Sequence, residues 1–260
     1  MWPSANLMLL VLAAFPTWSA ESSHLDARQS WTSSYWSQEF SKYGCRPVIF
    51  IFARATIEPG NMGNTVGPRI SNALKAAFGV TYVATEGVDY LSLPDTNFFP
   101  GGAPPFGVGL MQVLLSAAAK CPNSKIVASG YSQGAALTHR AIQGLSDPVK
   151  DKIAGVVTFG DTQTWQDGGQ IRGFDANKTL IICNIGDLVC IGTLYVMPVH
   201  LDYVKWVPTA VAWLIQKLLY ADEINPWWDG TFSLPPPPGS PRTDLQLANT
   251  DDCVVPPTRQ

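Results

Sequence analysis

The sequence predicts an α/β fold in which strands and helices alternate around a parallel sheet. Three observations predict it. Five short runs, at residues 48–53, 80–84, 125–130, 155–160 and 179–183, are nearly continuous in apolarity. Strands buried on both faces of a parallel sheet read this way. Stretches with helical character fall between these runs, and that alternation builds doubly wound layers. The 260 residues are 46% apolar and 14% charged, which suits one domain with a real core and excludes a disordered chain.

The elements follow in order. Residues 1–20 contain no charged side chain, and the apolar stretch from Leu7 to Phe15 is too short to span a bilayer. Thr17, Ser19 and Ala20 follow it as small residues, so the segment reads as a secretory signal peptide. Residues 21–44 are polar and read as a loosely held N-terminal segment. The first strand is "VIFIFA". A helix "RISNALKAAF" leads to the strand "VTYVA", and "GVGLMQVLLSAAAK" leads to "KIVASG". After "QGAALTHRAIQGL" come the strands "GVVTFG" and "TLIIC". The last helix, "PTAVAWLIQKLL", has Val207, Val211, Leu214, Ile215 and Leu218 at helical spacing, with Pro208 tolerated in its first turn. The domain therefore covers residues 45–220. Residues 221–260 hold eight of the 21 prolines, including "LPPPPGSP", and read as a polyproline-II or disordered tail.

The formal net charge of −3 carries no basic footprint, so nucleic acid is not an expected partner. Five cysteines, Cys45, Cys121, Cys183, Cys190 and Cys253, would oxidise in a secreted chain. Cys183 and Cys190 can close a small loop. Cys45 and Cys121 each flank an apolar run, and Cys253 is left over in the tail. No Cys-x-x-Cys occurs and there are three histidines, so no zinc site, metal or cofactor is expected. "NKT" at Asn177 is a glycosylation sequon, placed just before the fifth strand, where access is expected to be poor.

Chemistry enters at "GYSQG". The strand ends at Gly130 and a helix begins just after Ser132. The glycines allow a sharp turn that thrusts Ser132 out at the strand end, with the helix N-terminus aimed at it. A serine hydroxyl needs a base. His24 lies beside the signal segment. His139 is seven residues further along the same helix, about 10 Å up its axis, and reads as a surface or partly buried residue. His200, in a loop after the last strand, remains as the base. Its carboxylate partner is Asp187, in the loop "CNIGDLVC", with Asp161 as the runner-up that could equally cap a turn. The order Ser132, Asp187, His200 is that of α/β-hydrolases.

"GYSQGAA", "DKIAGVV-FG", "CN-GDLVC-G-L" and "P-HL-Y" resemble the cutinase family of secreted serine esterases, which includes acetylxylan esterases. The resemblance implies a small α/β-hydrolase fold with a central five-stranded parallel sheet flanked by helices and no large lid. It implies the triad Ser132, Asp187 and His200, and the disulfides Cys45–Cys121 and Cys183–Cys190. It implies an oxyanion hole from the N–H of Gln133 and from Thr56, in a segment where Ala55 departs from the family's glycine. Asn97 resembles a residue that supports the oxyanion hydroxyl. Leu194, Val196 and Leu201 match one apolar wall of the crevice, and Leu91, Leu93, Phe98 and Phe99 suggest another, core packing being an equal reading of the two phenylalanines. The implied partner is a polyester or other ester at a lipid-like surface, hydrolysed by a monomer without a transmembrane segment. An apolar rim suits a waxy polyester better than a hydrated polysaccharide.

Overall fold

The computed structural model describes residues 35–220 and the backbone of a two-residue strand at Val254–Val255. The elements run α1 (Glu39–Tyr43), β1 (Val48–Ala53), α2 (Val66–Phe78), β2 (Val83–Gly87), α3 (Pro105–Ala118), β3 (Lys125–Tyr131), α4 (Gln133–Gln143), α5 (Asp147–Lys152), β4 (Ile153–Phe159), β5 (Thr179–Ile182), α6 (Val207–Tyr220) and β6 (Val254–Val255). The sheet order is β2-β1-β3-β4-β5-β6. The first five strands are parallel and β6 is antiparallel to β5.

Every residue of β1 is buried, and successive side chains serve opposite faces. Phe50 and Phe52 pack with Ile70 and Leu74 of α2 and Leu214 of α6. Ile49 and Ile51 pack with Met111 and Leu115 of α3 and Leu137 of α4. Two cores thus sandwich the sheet, each large buried side chain contributing roughly 1.5–3 kcal/mol of burial. The disulfide Cys45–Cys121 ties the chain just before β1 to the chain just before β3. Those strands are neighbours, with Val48 opposite Lys125.

The structure corrects several sequence expectations. The second strand is Val83–Gly87 rather than 80–84. Tyr82 N–H donates to the Gly79 carbonyl, so the turn that leaves α2 uses up residues whose side chains favour strands. Glu86 enters the strand because Ser41 satisfies its buried carboxylate from both N–H and Oγ. Residues 35–44 are not loosely held. Asn61 and Met62 N–H both donate to the Tyr35 carbonyl, and Ser37 Oγ donates to the Thr85 carbonyl. The tail adds β6, with Val254 opposite Ile182 and Val255 opposite Ile181. Both residues of β6 are β-branched, a type that favours strands. Asn177 is exposed, on a 3₁₀ turn (Ala176–Lys178), rather than shielded. His24, Cys253 and residues 1–20 lie outside the described residues.

The order 2-1-3-4-5 reverses direction between β1 and β3. Open α/β sheets bind ligands at such a switch point, beyond the carboxyl ends of the strands. Ala53 of β1 stands opposite Gly130 of β3, so the residues following these strands, Thr56 and Ser132, emerge at that crevice.

Candidate active site

Ser132 sits between β3 and α4 at φ 55°, ψ −116°. A left-handed φ at a non-glycine residue stores strain, and such residues cluster where function over-determines them. Two glycines make the turn possible. A Cβ on Gly134 would lie 2.1 Å from the Ala53 carbonyl oxygen, and one on Gly130 2.2 Å from the Gly134 carbonyl oxygen. Without those side chains, α4 closes onto the ends of β1 and β3 together. Ser132 N–H donates to the Phe159 carbonyl at 2.9 Å, which fixes the elbow against β4.

Ser132 Oγ lies 2.9 Å from His200 Nε2, and His200 Nδ1 lies 2.8 Å from Asp187 Oδ2. All three side chains are buried. His200 is on a 3₁₀ turn (Pro198–Leu201) after the long loop that follows β5. Its ring rests on Gly160, where an added Cβ would come within 2.7 Å of Cε1. Asp187 lies inside the loop closed by the disulfide Cys183–Cys190. Val189 N–H donates to its Oδ1 at 3.1 Å and Tyr203 Oη to its Oδ2 at 2.6 Å. Burial alone would raise the Asp187 carboxyl, but the bonds from His200 and Tyr203 outweigh it and hold it below the usual carboxylate range. Asp187 therefore stays an anion facing the imidazole.

Thr56 and Gln133 stand at the ends of the two strands flanking the switch point. Among the described residues no group accepts the N–H of Thr56 or of Gln133. Asn97 Nδ2 donates to Thr56 Oγ1 at 3.1 Å, which leaves the threonine hydroxyl free to donate. The Gln133 side chain reaches the other way, donating to the Leu93 carbonyl and Thr96 Oγ1 at 3.1 and 2.9 Å. It pins the segment that carries Asn97. Ile57, which follows Thr56, is the other non-glycine residue with positive φ among the described residues, 57°. Glu58 supports this turn: its carboxylate accepts from Ala55 N–H at 2.8 Å and from Asn64 and Thr65 N–H at 3.1 Å each.

Leu194, Val196 and Leu201 are exposed, and so are Leu91, Leu93, Phe98 and Phe99. The two phenylalanines are surface residues, not core. Asn97 is half-buried. The sequence reading missed Ile57, Ile185, Ile191 and Tyr195, which are also exposed and belong to the same post-strand loops. Position after a strand end was the one signal available for them. It also missed Tyr131 and Tyr203. Tyr131 Oη donates to the His200 carbonyl at 2.6 Å.

His139 requires a correction. It is fully buried, not on the surface, and lies between two carboxylates, with Nε2 2.7 Å from Asp161 Oδ2 and Nδ1 2.8 Å from Asp167 Oδ2. The Asp161 carboxylate is thereby taken up by His139. It also accepts from Gln163 N–H at 2.8 Å, as a turn-capping residue would.

Activation of a serine by a histidine at a strand-to-helix elbow is how α/β-hydrolases cleave esters, and this protein is of that class. Within the class, the model of the cutinase family matches residues 44–218. The chain is 49% identical over 180 residues to cutinase CUT2 of Pyricularia oryzae, covering 69% of this chain and 83% of that one. Its fold is similar to that of a Trichoderma reesei cutinase solved with a C11Y4 phosphonate inhibitor (TM-score 0.64, 33% identity, 71% and 80% of the chains covered). An acetylxylan esterase shares the fold at 20% identity and a TM-score of 0.51, with 67% of this chain and all of that one covered. The chain belongs to the cutinase family and is a serine carboxylic-ester hydrolase.

Proposed function

We propose that this enzyme is a secreted cutinase that hydrolyses polyesters of hydroxy fatty acids, with Ser132 as nucleophile, His200 as general base and acid, and Asp187 as the carboxylate that orients the base. The observation that carries this reading is the continuous hydrogen-bonded line from Asp187 through His200 to Ser132 at 2.8 and 2.9 Å on a strained elbow. Ser132 Oγ attacks the ester carbonyl while His200 Nε2 takes its proton. The N–H groups of Thr56 and Gln133, with the Thr56 hydroxyl, would stabilise the tetrahedral oxyanion. His200 then passes its proton to the leaving alcohol. A water, deprotonated by His200, hydrolyses the acyl-enzyme and frees Ser132.

The exposed apolar side chains of the post-strand loops favour a waxy polyester over a hydrated polysaccharide. Two disulfides fit an oxidising compartment, and residues 1–20 would direct export and be removed. No helix of the described residues is long and apolar enough to cross a membrane. The domain is expected to act as a monomer at a lipid-like surface. The test is hydrolysis by the purified mature protein of p-nitrophenyl acetate, butyrate and palmitate, and of labelled cutin and acetylated xylan. Cutin release and butyrate turnover, both stopped by a serine-directed organophosphate, support the proposal. Activity on acetate and xylan alone would make the enzyme an acetylxylan esterase.

A further inference from the structure

We propose that Tyr203 is a positioning residue that sets how strongly Asp187 holds the His200 proton, and so the pH range over which the base works; the proposal rests on the triad reading above. The phenol Oη donates to Asp187 Oδ2 at 2.6 Å, the same oxygen that His200 Nδ1 meets at 2.8 Å. Two donors therefore share one carboxylate oxygen. The other oxygen takes a bond from Val189 N–H.

The phenol is itself held. Asn184 N–H donates to Tyr203 Oη at 2.9 Å, which directs the phenolic hydrogen toward Asp187. The ring is buried and edge-on to His200, with centroids 6.1 Å apart and planes at 80°. It also packs against Tyr131 and Phe159. Burial, with Asp187 beside it, pushes the Tyr203 phenol above its ordinary range, so it remains a donor.

The charged and titratable groups facing this pair are few. From the β3–α4 elbow come Tyr131 and Ser132, and Glu58 acts on Tyr131 from beyond β1. The disulfide loop contributes Asp187 and the Cys190 sulfur, 3.8 Å from Tyr203 Oη. At the end of β4, Gly160 touches the His200 and Tyr203 rings, while the Asp161 carboxylate beside it is bound to His139. Besides the His200 imidazole, Tyr203 is thus the one side chain among the described residues that donates an N–H or O–H to Asp187.

The chemistry follows from where the phenol sits. A hydrogen bond to a carboxylate draws off part of its negative charge. With the phenol in place, Asp187 is a weaker base and is less able to take the Nδ1 proton from His200. It also attracts the imidazolium less, so the base is freed at lower pH. A phenylalanine would fill the same space, so packing alone does not call for the hydroxyl.

The test is the pH dependence of kcat/KM on p-nitrophenyl butyrate for the wild type, Y203F, Y131F and the protein carrying 3-fluorotyrosine at position 203, with S132A as reference. In Y203F the acidic limb is expected to move up by about half a pH unit to one unit, with kcat down about tenfold and KM nearly unchanged. Fluorotyrosine is a stronger donor of the same shape, and its limb is expected to move down. Y131F removes the bond to the His200 carbonyl and leaves every donor on Asp187, so kcat should fall with the limb in place. The fluorotyrosine protein decides the matter if Y203F does not fold. A limb unmoved by both changes at Tyr203, or shifted equally by Y131F, overturns the proposal. Activity retained in S132A would instead overturn the triad reading itself.

Discussion

His139 and Asp161 form a fully buried pair, with Nε2 and Oδ2 2.7 Å apart. Each competes in the sequence for a catalytic role, and the fold binds them to each other. Asp167 accepts from the second ring nitrogen, and Arg140 and Arg172 complete its surroundings. With carboxylates at both nitrogens, the imidazolium is the form that satisfies every group. The cluster joins α4 to the loop after β4, whose first residue, Gly160, supports the His200 ring.

This pair makes stability depend on pH. Burial opposes the charge on His139, but Asp161 and Asp167 outweigh it and raise the pKa from 6.5 to about 9. A raised folded-state value means stabilisation that is complete below pH 6.5 and lost as pH climbs through about 9. The amount is on the order of 3 kcal/mol. Asp161 is the same interaction from the other side. Burial would raise its carboxyl, and His139 holds it down instead, so a second loss begins as pH falls below 3.8. Tm measured across this range should decline from near neutral pH toward pH 9. In H139Q the alkaline decline should vanish, at a cost of about 3–5 kcal/mol near neutral pH for the buried Asp161 carboxylate left without its cation, Asp167 keeping Arg140 and Arg172. An unchanged alkaline decline in H139Q would refute the assignment.

Ser132→Gly should separate stability from activity. The serine holds φ 55°, a region glycine enters freely. Relief of strain is expected to raise stability by about 1 kcal/mol, while ester hydrolysis falls to background. Denaturant unfolding and butyrate turnover measured on one preparation check both halves. A less stable variant would mean that the serine's hydrogen bonds outweigh its strain.

The sequence carried a good deal of this, and the missing parts share a cause. Strands β1, β3, β4 and β5 were legible because both faces are buried and the apolar runs are unbroken. The second strand was placed three residues early, because Glu86 is a strand residue only if Ser41 binds it, and that contact spans 45 residues. The same holds in the site. Ser132 announces itself through local glycines, and His200 and Asp187 follow by elimination among few candidates. His139 was misread because its partners lie 22 and 28 residues away. Tyr203 stands in the motif "P-HL-Y", but its task is not legible until Asp187, 16 residues earlier, is seen at its hydroxyl.

Gly160→Ala should cripple the enzyme without replacing Ser132, Asp187 or His200. The backbone there has φ +50°, and the new methyl would lie 2.7 Å from His200 Cε1 and 2.9 Å from Tyr203 Cε2. Neither buried ring can move without breaking a bond to Asp187. A misplacement of this size costs about a hundredfold in rate. The expected result is kcat down by that factor, with KM little changed and Tm lowered. Wild-type kcat would show that the His200 ring tolerates displacement.

The two parts of the Thr56 side chain should prove separable. Its hydroxyl accepts from Asn97 at 3.1 Å and so keeps its own hydrogen free to donate, while its methyl has no polar task. Thr56→Val keeps the shape and the backbone N–H but deletes the hydroxyl. If that hydroxyl stabilises the oxyanion, kcat should fall by about 10²–10³, or roughly 2.7–4 kcal/mol, with KM nearly constant. Thr56→Ser should restore most of it. Asn97→Ala leaves the hydroxyl present but unaimed, and a smaller loss of about tenfold is expected. Binding of a phosphonate that mimics the tetrahedral intermediate should weaken in the same order, valine worst and serine least. If valine at 56 left both kcat and phosphonate binding intact, the hydroxyl would be a turn-forming group only, and the oxyanion would rest on the two backbone N–H groups alone.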